Sequence, residues 1–104
     1  MKDGWTIWFT GLHGAGKTTI AERLVKLLRE KSLPSVLIDG DTARKLISSD
    51  LGYSLVERNK HMKRVADICK LLTKNGILTI ACVASPTEES RKYAKDILKK
   101  IFIS

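Results

Sequence analysis

Cysteine and proline are both scarce in this sequence, with two of each among its 104 residues. Cys69 and Cys82 stand alone. This excludes the paired spacing of a zinc site and the dense disulfide framework of a small secreted domain. Both lie among apolar residues, so we expect two buried thiols in a protein that works in a reducing compartment.

Long hydrophobic runs are also missing from the sequence. No apolar stretch approaches the length that spans a bilayer, and the first four residues do not begin a signal peptide. We therefore expect a cytoplasmic protein that has no membrane partner.

Blocks of like charge are absent as well, although the net charge is +8. Residues 1–50 carry eight Lys or Arg against six Asp or Glu, and residues 51–104 carry eleven against five. A basic surface attracts nucleic acid, but it equally suits small phosphorylated or sulfated substrates. Because no segment has the five or six consecutive like charges of a nucleic-acid arm, we expect a small anionic substrate and no nucleic-acid partner.

The apolar pattern predicts strands interleaved with helices. Such an order indicates a single α/β domain over residues 1–104 with a parallel sheet. The predicted strands are 5–10, 35–38, 77–84 and, as a fourth, 100–103; the predicted helices are about 17–31, 41–48, 54–75 and 85–98.

Two helices have apolar residues at helical spacing, and these are expected to be buried. They are Ile20, Leu24, Leu27 and Leu28 in the first helix, and Met62, Val65, Cys69 and Leu72 in the third. Ser54 with Glu57, and Ser85 with Glu88, have the spacing of a capping box at a helix start.

The segment between the first strand and the first helix matches the phosphate-loop pattern G-x-x-x-x-G-K-[ST]. Its glycines let successive backbone N–H groups point at phosphate oxygens, and the helix that follows adds the positive end of its dipole. Lys17 is expected to neutralise the terminal phosphates and Thr18 to offer its hydroxyl to Mg²⁺. The predicted phosphate-binding residues are Gly11, Leu12, His13, Gly14, Ala15, Gly16, Lys17, Thr18 and Thr19. The fold expected is thus of the P-loop NTPase type, with three α/β/α layers.

Asp39 and Asp41 flank Gly40 directly after the second predicted strand. Ligands of open α/β sheets bind at the carboxyl ends of strands, so two carboxylates there could orient Mg²⁺ or accept a proton from a substrate hydroxyl. The alternative is that Asp41 only caps the following helix.

Arg44 and Arg58 are candidates for holding an anionic substrate, since guanidinium groups bind phosphate and sulfate bidentately. The alternative for each is a solvated surface charge. Ser85, after the third strand, is a candidate for contacting substrate or for phosphorylation, or else caps the next helix. His13 and His61 have no evident partner and are interpreted as loop or solvent-facing residues.

Taken together, these segments resemble the adenylylsulfate kinase (APS kinase) family. The similarity lies in the first strand with its phosphate loop, in Asp39-Gly40-Asp41 followed by Arg44, in the segment 50–54 with Arg58 and Arg64, and in Ser85-Pro86. The combination is specific because many P-loop kinases share the first motif and few share all four. The resemblance runs from about residue 5 to about residue 98.

The resemblance implies transfer of the γ-phosphate of ATP to the 3′-hydroxyl of adenosine 5′-phosphosulfate (APS), which gives PAPS in sulfate assimilation. It implies catalytic roles for Lys17, Asp41 and Ser85, and Mg²⁺ binding by Thr18 and Asp41. Implied substrate contacts are Asp39, Asp41, Arg44, Tyr53, Arg58, His61, Ala84 and Ser85, with Tyr53 stacking on the substrate adenine.

Four residues depart from the family pattern. His13 replaces a usual Ser, His61 replaces a substrate-contacting Asn, and Thr87-Glu88 replaces Phe-Arg. Family domains also continue beyond 104 residues with further strands and a lid, so we expect a C-terminally shortened member with weak or no activity alone.

Two other functions stay open on the sequence. One is a small P-loop kinase for another hydroxylated metabolite, and the other is a non-catalytic ATP-binding remnant that acts through association with another chain. The sequence leaves the oligomeric state open, with a homodimer as one alternative.

Overall fold

The structure is a computed structural model that describes residues 3–10, 17–84, 87–98 and 100–103. The predictions for residues 11–16, for the Lys17 side chain and for Ser85-Pro86 lie outside what it describes. Within the described ranges, eight elements follow one another along the chain. They are β1 (Thr6–Phe9), α1 (Lys17–Glu30), β2 (Ser35–Asp39), α2 (Gly40–Ile47), α3 (Leu55–Lys74), β3 (Leu78–Cys82), α4 (Glu88–Ile97) and β4 (Lys100–Ile103).

The four strands form one parallel sheet in the order β2-β3-β1-β4. Cys82 of β3 is in register with Phe9 of β1 on one side and with Asp39 of β2 on the other. The carboxyl ends of these three strands are therefore level. The parallel sheet and its fourth strand, both predicted from the sequence, are confirmed.

Each face of the sheet has its own apolar core, because side chains alternate between faces along a strand. Trp8 and Ala81 point to the face covered by α3 and α4, where they pack with Val65 and Cys69. The opposite face is covered by α1, where the buried residues are Phe9, Ala21, Val25, Ile80 and Cys82. This arrangement confirms the predicted three-layer α/β/α fold and the two buried thiols.

The buried face of α1 differs from the predicted one. Ile20 and Leu27 are 56% and 48% exposed, whereas Ala21 and Val25 are 0% and 5% exposed. The buried stripe is turned by one residue relative to the prediction, although Leu24 and Leu28 do pack against the core. Apolar spacing gives the helical period, but it does not show which of two adjacent stripes faces the sheet.

Two helices end in the same hydrogen-bond pattern. At the end of α3, Gly76 has φ 79° and its N–H donates to the Thr73 carbonyl, while the Ile77 N–H donates to Leu72. This is a Schellman motif, whose left-handed residue is normally glycine. The end of α1 repeats the pattern with Ser32 at φ 61°, and the Leu33 N–H donates to Leu28.

One predicted helix cap is confirmed and another is wrong. Ser54 caps α3, and its Oγ accepts the Glu57 N–H at 3.2 Å. For α4 the sequence suggested Ser85, but the cap is Thr87, whose Oγ1 accepts the Ser90 N–H at 3.2 Å. Thr87 has extended backbone angles, as an N-cap requires, so the helix begins later than its apolar pattern indicated.

Candidate functional site

The candidate site lies at the edge of the sheet where β1, β2 and β3 end. The connection from β1 to α1 leaves this edge after Phe9, and the Val83 N–H beyond β3 donates to the Phe9 carbonyl at 3.0 Å. Gly40 packs closely here, since a Cβ added to it would lie 3.1 Å from the Cys82 carbonyl oxygen. The segment that carries Asp39 and Asp41 therefore lies beside the end of β3, in the place where open α/β sheets bind ligands.

Asp39 and Asp41 have different surroundings. Asp39 caps α2, because its Oδ1 accepts the Asp41 N–H at 3.1 Å and its Oδ2 accepts the Thr42 hydroxyl at 3.4 Å. The interpretation of Asp41 as the cap is therefore wrong. The Asp41 carboxylate is exposed in the first turn of α2 and has no hydrogen bond or ion pair with a described residue. Of the two, Asp41 is the carboxylate available to a ligand.

Arg44 is engaged by the loop that follows α2. Its guanidinium donates to the Leu51 carbonyl at 3.4 Å and to the Gly52 carbonyl, and it lies 4.1 Å from the centroid of the Tyr53 ring. This contact covers one face of an aromatic ring that is 77% exposed. Arg44 thus supports the loop and Tyr53, a role that the spacing of Arg44 from Asp41 did not indicate.

Two further charged side chains hold the same loop from α3, and reasoning on the sequence gave neither of them this role. Arg64 donates to both carboxylate oxygens of Asp50, at 2.7 and 3.0 Å, and to the Ile47 carbonyl at 2.9 Å. The hydrogen bond from Arg64 lowers the pKa of Asp50. Glu57 accepts the Gly52 N–H at 2.5 Å, and this bond is the main cause of its lowered pKa. Loop 48–54 is therefore fixed at three points.

Arg58 differs from Arg44 and Arg64 in its surroundings. It is exposed in the first turn of α3, and its guanidinium has no hydrogen bond or ion pair with a described residue. Its charge is therefore available to a ligand, whereas Arg44 already donates to two backbone carbonyls.

His61 is buried, so its interpretation as a loop or solvent-facing residue is wrong. It is 4% exposed, with Nδ1 2.7 Å from the Ser48 hydroxyl and Nε2 3.0 Å from the Gly40 carbonyl oxygen. Burial is the main cause of its lowered pKa. Both ring nitrogens have partners within the chain. No sequence pattern indicates these two contacts, because the partners lie 13 and 21 residues away.

Ala84, two residues after the end of β3, is half-buried. Beyond it, Thr87 donates to the Asn59 side-chain oxygen, and Asn59 donates to Glu89 at 3.0 Å. Lys63 pairs with the same Glu89 at 2.9 Å. These contacts tie the start of α4 to α3.

The described residues contain no group of three or more His, Cys, Asp or Glu placed to hold a metal ion. Thr18 and Thr19 are exposed in the first turn of α1, close in sequence to the predicted phosphate loop. Within the described ranges, every helix is too short or too polar to span a bilayer.

The family model described as adenylylsulphate kinase matches residues 3–104. The chain belongs to the adenylylsulphate kinase family. Among curated relatives, a probable adenylyl-sulfate kinase of Pyrococcus abyssi is 45% identical over 93 residues, which cover 89% of this chain and 53% of the relative. One of Aeropyrum pernix is 39% identical over 100 residues, covering 96% and 55% respectively. This family member thus spans about half the length of the curated relatives it matches.

Solved structures of the family share the fold. The Mycobacterium tuberculosis APS kinase CysC, in complex with AMPPNP and APS, superposes with a TM-score of 0.92 at 31% identity, covering 98% of this chain and 62% of that one. A gluconokinase from Sinorhizobium meliloti, with a TM-score of 0.65 at 13% identity, shares only the fold.

Proposed function

We propose that this chain carries the ATP-phosphate and APS-binding part of an adenylylsulfate kinase. The reaction is transfer of the γ-phosphate of ATP to the 3′-hydroxyl of APS, giving ADP and PAPS in cytoplasmic sulfate assimilation. The observation that supports the proposal is that Asp41, beside the carboxyl end of β3, and Arg58, at the start of α3, are exposed and have no hydrogen bond or ion pair with a described residue. The chain that carries them belongs to the adenylylsulphate kinase family. A phosphosulfate and a reacting hydroxyl require such a pair.

The nucleotide half of the proposal rests on the segment from β1 to α1. Phosphoryl transfer depends mainly on positioning and on stabilising charge. The residues proposed to hold the ATP phosphates are those of the phosphate loop, 11–16, followed by Lys17, Thr18 and Thr19. Lys17 would neutralise charge on the transferred phosphoryl group, and α1, which begins at Lys17, would add its dipole.

Mg²⁺ fits this donor set as an ion shared with ATP. It prefers one or two protein oxygens together with phosphate oxygens and water. The Thr18 hydroxyl and the Asp41 carboxylate can supply those two, and the absence of a larger acidic cluster in the described residues agrees with an ion that arrives with ATP. When bound, the ion would neutralise charge on the transferred group.

In the APS half of the proposal, some side chains bind the substrate and others hold the binding residues in place. Arg58 would bind the phosphosulfate, and Asp41 would hold the 3′-hydroxyl and accept its proton. Arg44 would hold Tyr53 in place by covering one ring face, which leaves the other face for the substrate adenine. Asp39 would act through α2 as its cap, while Ala84 and Ser85 would border the substrate.

Self-association is a further part of the proposal. A homodimer is the smallest assembly that we propose, and one structural relative is the hexameric APS kinase from Thiobacillus denitrificans. Light scattering on the purified chain would give its mass. A mass of one chain at micromolar concentration would contradict the homodimer.

Binding selectivity tests the proposed substrate. With ADP and Mg²⁺ present, calorimetry should show APS binding at least about tenfold more tightly than AMP, because AMP lacks the sulfate that a guanidinium holds. Adenosine and gluconate are the matched negative ligands. Tighter binding of gluconate or adenosine than of APS would favour a kinase for another metabolite. Binding of ADP with no selectivity for APS would favour the non-catalytic remnant.

A further inference from the structure

His61 links the two ends of α2. Its Nε2 lies 3.0 Å from the carbonyl oxygen of Gly40, the first residue of the helix, and its Nδ1 lies 2.7 Å from the hydroxyl of Ser48, the C-cap. Ser48 is fully buried, and its N–H also donates to the Arg44 carbonyl at 3.0 Å. One side chain of α3 therefore contacts the start and the end of the neighbouring helix.

The contacts assign the ring tautomer. A backbone carbonyl can only accept a hydrogen bond, so Nε2 must carry the proton that is donated to Gly40. In the neutral ring, Nδ1 then accepts from the Ser48 hydroxyl. Both nitrogens are used in this way, and no donor or acceptor of the ring is left for a ligand.

Helix α2 depends on such support because it is short. Eight residues span about 12 Å, and an isolated helix of this length is marginal in water. The position of α2 must therefore come from its tertiary contacts. The helix carries Asp41 and Arg44, and a small tilt would move both relative to the ends of β1 and β3.

We propose that His61 is a positioning residue, which fixes α2 against α3 and thereby orients the Asp41 carboxylate, and that it makes no contact with substrate. The anchoring of α2 stands on the contacts alone. Its consequence for APS rests on the proposed function. The proposal replaces the substrate contact that the family resemblance implied for His61.

Native-state hydrogen exchange on the full chain tests the anchoring without any ligand. In His61→Ala, the amides of residues 44–48 should exchange about tenfold faster, since two hydrogen bonds that hold the helix are lost. The amides of Thr79 in β3 and of Val83 just after it, which donate to Trp5 and Phe9, should change less and serve as the internal reference. His61→Gln keeps a donor that can reach Gly40 and should restore most of the protection.

Ser48→Ala is the second variant, and it removes only one of the two hydrogen bonds. It should speed exchange of the same amides by a smaller factor than His61→Ala, and it keeps the test available if His61→Ala fails to fold. In the unmodified chain, ¹⁵N spectra of the ring should show the Nε2–H tautomer. An Nδ1–H tautomer, or equal acceleration of the α2 amides and the two reference amides, would overturn the proposal.

The affinity for APS distinguishes a positioning role of His61 from a direct contact with the substrate. The proposal predicts weaker APS binding in His61→Ala, with recovery in His61→Gln. Loss of APS affinity with unchanged α2 exchange would mean that His61 contacts substrate, and it would overturn the proposal. If the unmodified chain does not bind APS, the proposed function fails, while the exchange and tautomer results still decide the anchoring.

Discussion

Asp39 and Asp41 show how two identical side chains on one short segment acquire different chemistry. Both carboxylate oxygens of Asp39 accept hydrogen bonds at the start of α2, whereas Asp41 is exposed in the first turn of the helix. The same division holds among the arginines. Arg44 and Arg64 fix loop 48–54, and Arg58 keeps its guanidinium available.

Replacing Arg58 by alanine tests this division directly. Arg58→Ala should weaken APS binding by about tenfold, because a hydrogen bond to a charged group is lost, and should leave ATP binding almost unchanged. Calorimetry with each ligand measures both effects. Lys74→Ala is the matched control, since it removes one exposed positive charge from the other end of α3, about 24 Å away. An equal loss for APS and ATP would count against the role of Arg58.

The burial of His61 predicts a pH dependence of stability. Its pKa is lowered first by burial and then by the nearby charges of Arg44 and Arg64; the Gly40 carbonyl and Asp41 act in the opposite direction. The unfolded chain therefore binds a proton more readily than the folded chain. Stability should fall as pH decreases below about 6.5, the ordinary pKa of histidine. Urea unfolding from pH 7.5 to 5 should show a smaller decrease in His61→Gln than in the unmodified chain. Identical pH profiles would contradict the buried neutral ring.

At the scale of elements, α1 and α3 end in the same Schellman motif with different residues in the left-handed position. Gly76 adopts a positive φ without cost, whereas the Cβ of Ser32 is crowded there. The sequence predicted the end of α3 from Asn75-Gly76 because glycine marks this position. It could not predict a Schellman motif built on serine.

Ser32→Gly should therefore stabilise the protein. The expected gain in the free energy of unfolding is about 0.5–1 kcal/mol, since relief of the left-handed strain exceeds the added backbone entropy of glycine. Urea denaturation measures it. Ser49→Gly, at an exposed turn whose φ is not positive, is the control and should not stabilise. A destabilised Ser32→Gly variant would contradict the motif.

Elements set by local chemistry could be predicted from the sequence, and those set by distant contacts could not. The capping box of Ser54 and Glu57 needs only residues three apart and is confirmed. Thr87 was missed because its choice as cap follows its backbone angles and its hydrogen bond to Asn59, 28 residues away. His61 was misjudged for the same reason.

At the scale of the whole molecule, the parallel sheet with helices on both faces follows from the alternation of strands and helices along the chain. The order β2-β3-β1-β4 was not predicted. The sequence could not show how each helix is rotated on the sheet. For α1 this rotation buries Ala21 and Val25 in place of Ile20 and Leu27. The rotation of α1 is decided by its packing against side chains of β1, β2 and β3. These residues are far apart in the sequence, so no local pattern shows it.

A pair of alanine substitutions tests the rotation of α1. Val25→Ala should lower the free energy of unfolding by about 2 kcal/mol through lost burial and a small cavity. Ile20→Ala removes a larger side chain, yet it should change the free energy of unfolding by no more than about 0.5 kcal/mol because Ile20 is exposed. Urea denaturation of both variants measures the contrast. A larger loss for Ile20→Ala would show that the predicted stripe faces the sheet after all.

The predicted phosphate loop lies in the sequence between β1, whose carboxyl end is level with those of β2 and β3, and α1. The most direct measurement of the central claim is the affinity of the chain for Mg²⁺-ATP with and without Lys17. Lys17→Ala should weaken binding by at least about tenfold, since a charge-assisted contact with the phosphates is lost. Lys26→Ala, which removes an exposed charge later in the same helix, should leave the affinity almost unchanged. If Lys17→Ala binds ATP as tightly as the unmodified chain, the phosphate site is not where we place it.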